Sequence, residues 1–439
     1  MSERMTLGSL FVLAALIPGI CCAQGGYGYG PGGPPGNWQS PPQGYPSGYP
    51  APPPGPPTIY EQLPDDLGFR YEDSQFETAL KNLFRHSYYR GEFLLWSASK
   101  PGDVLLGATP SAGFITNTQL QQAPPLLPPT TFSIPNPIGT VNAAVVEPTL
   151  GAFNVSHMPG YRGTFGLPIG PGNFELSAFI LGTRENRYDG TAFITPEVPA
   201  DPVTGANAIP AVFVGQPINV AGGQNFLLYT NSYEAVLKTG IWGSEANYIM
   251  DAANAGTGDL ITFSPMLGFR YLNYRESFLQ YGGYEISSTD DLGNVTLTPA
   301  SRAIYSSSNN NSYGPQFGVR AEASAGGVTF GAEPKIMLGL NSYLATLTST
   351  NVPFEGASTS NSKKATIFSP VADLKLYTRV AVSKYAHVFA AYNVMWAGSL
   401  TRPYDTIGYT IDAAGGGFFS PKFTDSIIQG LTVGGELRF

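Results

Sequence analysis

Charge is scarce in this chain. Asp, Glu, Lys and Arg make up only 12% of its 439 residues, about half the share usual for soluble domains. A soluble surface of this size would need more, so much of the surface is expected to face something other than water. Net charge is −8 with no basic run, which leaves nucleic-acid binding without an electrostatic footprint. Histidine occurs three times and cysteine twice, at Cys21 and Cys22. No Cys/His cluster has metal-ligand spacing, no GxSxG nucleophile motif is present, and no metal or cofactor is expected. Beyond the first residues no apolar run reaches the ~18 residues of a membrane-spanning helix.

What is abundant is aromatic and flexible: 25 Tyr, 26 Phe, 53 Gly and 39 Pro. The opening MSERMTLGSLFVLAALIPGICCAQ carries Arg4, an apolar core from Leu7 to Leu16, a Pro18-Gly19 break and a cleavage position at Ala23, the pattern of a secretory signal peptide over residues 1–23. Acylation of Cys21 or Cys22 is the competing reading, but Pro18, Gly19 and Ile20 fit a lipobox poorly because a small residue is wanted before the cysteine. Cleavage after Ala23 removes both cysteines and with them any disulfide framework.

Residues 24–60 are Gly, Pro and Tyr with almost no aliphatic residue, so they read as a disordered or polyproline-like linker. Gly28, Gly30 and Gly33 spell GxGxxG, yet no strand precedes them and no helix follows, so the match is accidental. In the segment 61–87, Ser74 and Glu77 form a capping box, and Phe76, Leu80, Leu83 and Phe84 recur at helical spacing. They predict a short amphipathic helix over about 74–85.

From Tyr88 the period changes to two. Strands are predicted at 88–97, 158–169, 174–185, 231–251, 259–281, 312–324, 327–345, 365–380, 383–398 and 427–439. Their connections alternate. Long gaps rich in Thr, Ser, Asn, Pro and Gly (98–157, 186–230, 282–311, 346–364, 399–426) take turns with short ones (170–173, 252–258, 325–326, 381–382). Long outer loops and short periplasmic turns are the signature of a bacterial transmembrane barrel. The expected fold is therefore all-β, a closed antiparallel transmembrane β-barrel of about 10 strands (8–12) over residues 88–439. It has long extracellular loops, and both termini lie in the periplasm. Outer-membrane lipid and the barrel-assembly machinery are its expected partners; an extracellular partner is left open.

The last residues, GLTVGGELRF, keep the period of two to Phe439. Thr432, Gly434, Leu437 and Phe439 fit the polar-x-Gly-x-x-apolar-x-aromatic ending that resembles the recognition signal of barrels inserted into the outer membrane.

Parity assigns a set of lumen-facing charges. The cations are Arg90, Arg162, Arg270, Arg320, Lys335, Lys375, Arg379 and Arg438, and the anions are Glu92, Glu175, Glu245, Glu322, Glu333, Asp373 and Glu436. A salt-bridged interior is the first reading, because unpaired buried charge is costly and small barrels fill their interiors with side chains. An ion-lined pore is the second, and the near balance of sign argues against strong ion selectivity. For catalysis there is little: His86 precedes the barrel, His387 lies near a periplasmic turn, and only His157 sits at an outer strand end. Asp290 and Asp291 form a carboxylate pair in a loop, where acidic residues are commonly just solvated. No catalytic residue is assigned.

Several ordered blocks, YRGEFLLW (Tyr89–Trp96), IWGSEANY (Ile241–Tyr248), LGFRYL (Leu267–Leu272) and FGVRAE (Phe317–Glu322), together with the terminal Phe439, resemble the motifs of a putative beta-barrel porin family, its seventh numbered group, found in planctomycete bacteria. The resemblance covers roughly residues 88–439 and implies an outer-membrane barrel; it brings no substrate with it. The functional expectation is a porin-like passive channel for small solutes, with a closed structural or surface-adhesion barrel as the alternative and an outer-membrane enzyme as a remote third.

Overall fold

The computed structural model describes residues 87–108, 115–116, 131–132, 141–196, 211–220, 223–251, 261–353, 355–411 and 417–439. All belong to one unit, Glu72–Phe439. The expected signal peptide, the linker, the helix at 74–85 and His86 lie outside the described residues.

The strands follow one another along the chain. β1 (Tyr88–Ala98) precedes the short strands β2 (Ile115–Thr116) and β3 (Thr131–Phe132), then β4 (Val141–Glu147). Next come β5 (Met158–Pro168), β6 (Gly172–Leu181), β7 (Arg184–Asp189), β8 (Ala211–Val220), β9 (Gly223–Tyr229) and β10 (Ser232–Met250). Two long strands, β11 (Ile261–Thr289) and β12 (Val295–Ala325), lead to β13 (Val328–Met337), β14 (Leu340–Thr350), β15 (Ser358–Phe368) and β16 (Val371–Ala381). The chain finishes with β17 (Ala386–Thr401), a one-turn helix α1 (Pro403–Thr406), β18 (Thr410–Ile411) and β19 (Phe423–Arg438).

Ten of these strands pair antiparallel in a ring that closes on itself: β11, β10, β6, β5, β1, β19, β17, β16, β13, β12 and back to β11. They correspond one to one to the ten predicted strands. Last meets first directly, Tyr88 opposite Arg438 and Ala98 opposite Ile428. The short connections lie at the end that holds Tyr88 and Arg438. The tightest is Gly326-Gly327, both at positive φ (57° and 92°), a two-residue turn that only glycine makes without strain.

At the opposite end the structure departs from the expected loops. The gap 282–311 is not a loop: β11 and β12 run on as one continuous ladder to Thr289 and Val295. Their polar Ser and Asn residues masked the strand period. The predicted strands 327–345 and 365–380 are each broken, at Leu338–Gly339 and Ser369–Pro370. Below the breaks β13 pairs with β16; above them β14 leaves the ring, pairs with the upper part of β12 and carries β15 as an outer edge strand. Gly314 lies where β12 changes partners, and a Cβ there would meet the Leu338 carbonyl oxygen at 2.4 Å. The gaps 98–157, 186–230 and 399–426 supply a second sheet of β2, β3, β4, β8, β9 and β18, with parallel pairings β2–β4, β4–β8 and β8–β18.

Alternation gives the ring two unlike faces. Outward stand Phe93, Leu95, Tyr161, Leu176, Ile180, Trp242, Leu267, Phe269, Phe317, Phe330, Leu376, Val388, Leu431 and Val433, all exposed. Inward residues change character along each strand. On β1 they run Tyr88, Arg90, Glu92 and then Leu94, Trp96, Ala98. The apolar end of this series joins a core with residues of the former loops, among them Phe153, Val214, Leu227, Tyr404 and Phe418.

Candidate functional site: the filled interior of the ring

The polar half of the interior is made by strand parity, which delivers a charged side chain from nearly every ring strand to the same level. All fifteen lumen charges assigned from sequence point inward, and they divide into two ion-pair webs. In one, Glu92 accepts from Lys375 Nζ at 3.1 Å and from Arg162 at 3.4 Å, with Arg90 at 3.8 Å. Arg90 reaches on to Glu436 at 3.1 Å, which also meets Arg379 (3.9 Å) and Arg438 (2.9 Å), and Arg379 meets Glu322 at 3.3 Å. In the other, Arg320 bridges Glu175 (2.8 Å) and Glu333 (3.0 Å). Lys335 bridges Glu333 (3.1 Å) and Glu245 (3.0 Å), and Arg270 bridges Glu245 and Asp373, both at 2.6 Å. Arg438, at the mouth, is the most exposed of the set; most of the others are buried.

Neutral groups seal the top of this layer. Thr432 Oγ1 accepts from Trp96 Nε1 at 3.1 Å and from Asn393 Nδ2 at 2.8 Å. Arg162 donates to Asn393 Oδ1 at 3.3 Å, and its guanidinium lies 4.9 Å from the Trp96 ring. Of the other residues in the expected C-terminal signal, Gly434 allows close approach, since a Cβ would meet the Gly91 carbonyl oxygen at 2.1 Å. Leu437 and Phe439 are exposed on the outward face.

Sequence reasoning missed a third buried pair. Arg402 donates twice to Glu276, Nε to Oε2 and Nη2 to Oε1, both at 2.7 Å, and Thr239 Oγ1 adds a bond of 2.9 Å. Glu276 shares the parity of Arg270 and was legible on that ground; Arg402 lies in a former loop, where parity says nothing. Asn310 was missed too. Its Oδ1 accepts from Thr401 N and Asn341 Nδ2, both at 2.9 Å, and its Nδ2 donates to the Thr401 carbonyl oxygen, pinning β17 to β12 across the interior.

The remaining candidates stand apart. His157, at positive φ, lies just before β5, at the end of the ring away from the short turns, and contacts Ser156 Oγ at 2.9 Å. His387 lies at the opposite end of the ring, beside the 381–386 turn. Asp290 organises the β11–β12 turn, its Oδ1 accepting from Leu292 N (2.9 Å) and Asn294 N (2.7 Å); the Asn294 side chain, donating to its Oδ2 at 2.8 Å, and then these backbone bonds hold its carboxyl below the usual range. Within the second sheet Glu147 is buried, neither carboxylate oxygen hydrogen-bonded among the described residues, and burial pushes its pKa up to about 8.

An antiparallel ring with charges inside and aliphatic and aromatic side chains outside is the inverse of a soluble sandwich, and defines the inside-out class of β-structure. The chain belongs to the family described as Putative beta barrel porin-7, whose profile matches residues 120–439. Of the quoted blocks, the one at Tyr89–Trp96 precedes that span and the others fall within it. No curated protein matches the chain. Among solved structures it is similar to the outer membrane protease OmpT from Escherichia coli at 10% identity, over 81% of this chain and 97% of that one, with a TM-score of 0.40. It is also similar to the toluene transporter TodX of P. putida at 7% identity, over 81% and 90%, with a TM-score of 0.19.

Proposed function

We propose that this protein is an outer-membrane β-barrel, shut to solutes in the state described, that presents a loop-built sheet and a long strand extension outside the cell. One observation carries the reading: the ring turns its apolar face outward and leaves water little access to its interior. The walls of a water-wide pore would be reachable by water, yet Glu92 is 2% exposed, Glu436 1% and Lys375 6%. Above them Trp96, Phe153 and Met395 are equally closed off.

The outward apolar band fits lipid in height. On β11 it runs from Ile261 to Tyr271, roughly 34 Å along the strand at 3.4 Å per residue and about 24 Å along the membrane normal at the usual tilt. In this reading the short turns face the periplasm, and the exposed Leu437 and Phe439 are what the assembly machinery engages. It assigns the protein no reaction; the two described histidines lie at opposite ends of the ring.

A passive channel is the second reading. The family's description favours it, and so does a cavity of about 220 Å³ at the short-turn mouth, lined by Tyr88, Asn173, Glu175, Arg320, Glu322, Arg379 and Arg438. Current across a planar lipid bilayer separates the two. The purified protein, its insertion verified by heat-modifiable migration, should give a flat baseline. Steady ohmic steps would overturn the shut barrel and leave the channel.

A further inference from the structure

The strand extension has an outer face of its own, and register places its side chains in rows. Counting upward from the rim of the apolar band, the first row is Tyr271, Tyr313, Leu340 and Phe368 on β11, β12, β14 and β15. The next holds Asn273, Asn311, Ser342 and Thr366, and the one above holds Arg275, Asn309, Leu344 and Lys364. Higher still come Ser277, Ser307, Thr346 and Ser362. The face therefore changes from aromatic to hydroxyl and amide within two residues and carries a cation at each end of its third row.

Those two cations differ from their neighbours. On the adjoining β7 and β10, Lys238 pairs with Glu185 at 2.9 Å, and Arg187 pairs with Glu185 and Glu234. Arg275 and Lys364 are exposed and have no acidic partner among the described residues. Three strand spacings separate them, about 14 Å at 4.8 Å each. They stand four residues above the aromatic row, about 10 Å along the membrane normal at a barrel's tilt. That height lies just beyond the hydrocarbon, where the headgroups of the outer leaflet sit.

We propose that this face binds the phosphorylated sugar headgroup of an outer-leaflet glycolipid. Arg275 and Lys364 take phosphate groups, and the half-buried Asn309, Asn311, Ser342 and Thr346 with the exposed Ser362 and Thr366 meet sugar hydroxyls; Asn273, buried and bonded to Asn309 and Asn311, braces that row from behind. The acyl chains lie below, against Tyr313, Leu340 and Phe368. The chemistry is complementary at each level: two unpaired cations for phosphate, neutral donors and acceptors for hydroxyls, and an apolar rim for alkyl chains. The inference rests on the membrane reading above.

The test uses the full chain, delipidated in detergent and titrated with three lipids: a bisphosphorylated disaccharide glycolipid, its dephosphorylated form, and phosphatidylglycerol. Bound lipid is counted by native mass spectrometry. The bisphosphorylated glycolipid should bind at least tenfold more tightly than either other lipid, and Arg275→Gln with Lys364→Gln should abolish that preference. Arg187→Gln, which alters a cation already paired, should leave it intact. Equal binding of phosphatidylglycerol, or an unchanged preference in the double variant, would overturn the proposal. Both substitutions lie at exposed positions, so folding is not at stake. Insertion of the wild type into vesicles is scored separately by heat-modifiable migration: failure there sinks the membrane reading and this one together, whereas insertion without lipid preference sinks this one alone.

Discussion

Glu92 shows how a buried carboxylate is tolerated at the level of one residue. Three cations from three other positions, Lys375, Arg162 and Arg90, surround it, so losing any one leaves it paired. Redundancy matters because breaking a buried pair costs most when it strands the partner. Lys375→Gln should therefore be mild. Its neighbour Leu374 points the other way, exposed on the apolar face, and an arginine there costs about 2–4 kcal/mol at the midplane of a bilayer. Leu374→Arg should accordingly destabilise the protein in liposomes far more than Lys375→Gln in a denaturant titration. Equal losses would mean that this strand does not span lipid.

Glu147 is the opposite case, a buried carboxyl with no partner among the described residues. Its pKa in the folded protein is raised to about 8 by burial, above the range of an unfolded glutamate. The stability tied to its neutral form is thus fully present at acid pH, and it falls away as pH climbs from the ordinary glutamate range through about 8. The full effect is on the order of a few kcal/mol. Glu147→Gln should flatten that slope; hydrogen exchange in β4 and β8, compared at pH 6 and pH 9, reads it. A wild-type protection pattern that does not change between the two values would show that the carboxyl finds a partner or water.

At the scale of elements, the ring strands were legible and much of what surrounds them was not. Ring strands alternate strongly because their two faces meet unlike surroundings, so 88–97 and 383–398 could be read from a period of two alone. The upper parts of β11 and β12 carry Ser, Thr and Asn on both faces, for example Ser306 inward and Ser307 outward, and alternation vanishes though the ladder does not. The short parallel strands β2 and β18 are set by distant partners and have no local signal to read. The interior charges were legible through parity alone, which is why Glu276 lay within reach and Arg402 did not. The β14–β15 hairpin follows from the same geometry. Met337 already pairs with Val371 below it, so the ring closes without the hairpin. Replacing residues 339–369 by a short turn should keep heat-modifiable migration and strand content per residue; loss of both would show that the hairpin holds β13 and β16 together.

For the whole molecule, the interior is filled twice, by chemically different means. Near the short turns the ion-pair webs fill the ring, and toward the opposite end an apolar core built from ring strands and former loops fills it again. The layers differ in what can open them. Charges in a web can exchange partners as field or pH changes, because Glu92, Glu245 and Glu436 each have two or three cations within reach; an apolar core opens only if its elements leave. A shut state held by the first layer alone would be fragile, whereas one held by both requires two separate failures. Replacing Glu92, Arg162 and Lys375 together by serine removes the centre of one web and leaves Leu94, Phe153, Leu227 and Tyr404 in place above it. This triple variant should still give a flat baseline in a planar bilayer. Combined with replacement of residues 99–157 by a short turn, which withdraws Leu150, Phe153 and Val155 from the core, it should give discrete conductance steps. Steps from the triple variant alone would mean that the outer core is no barrier to ions, and the charged layer would then be the only gate.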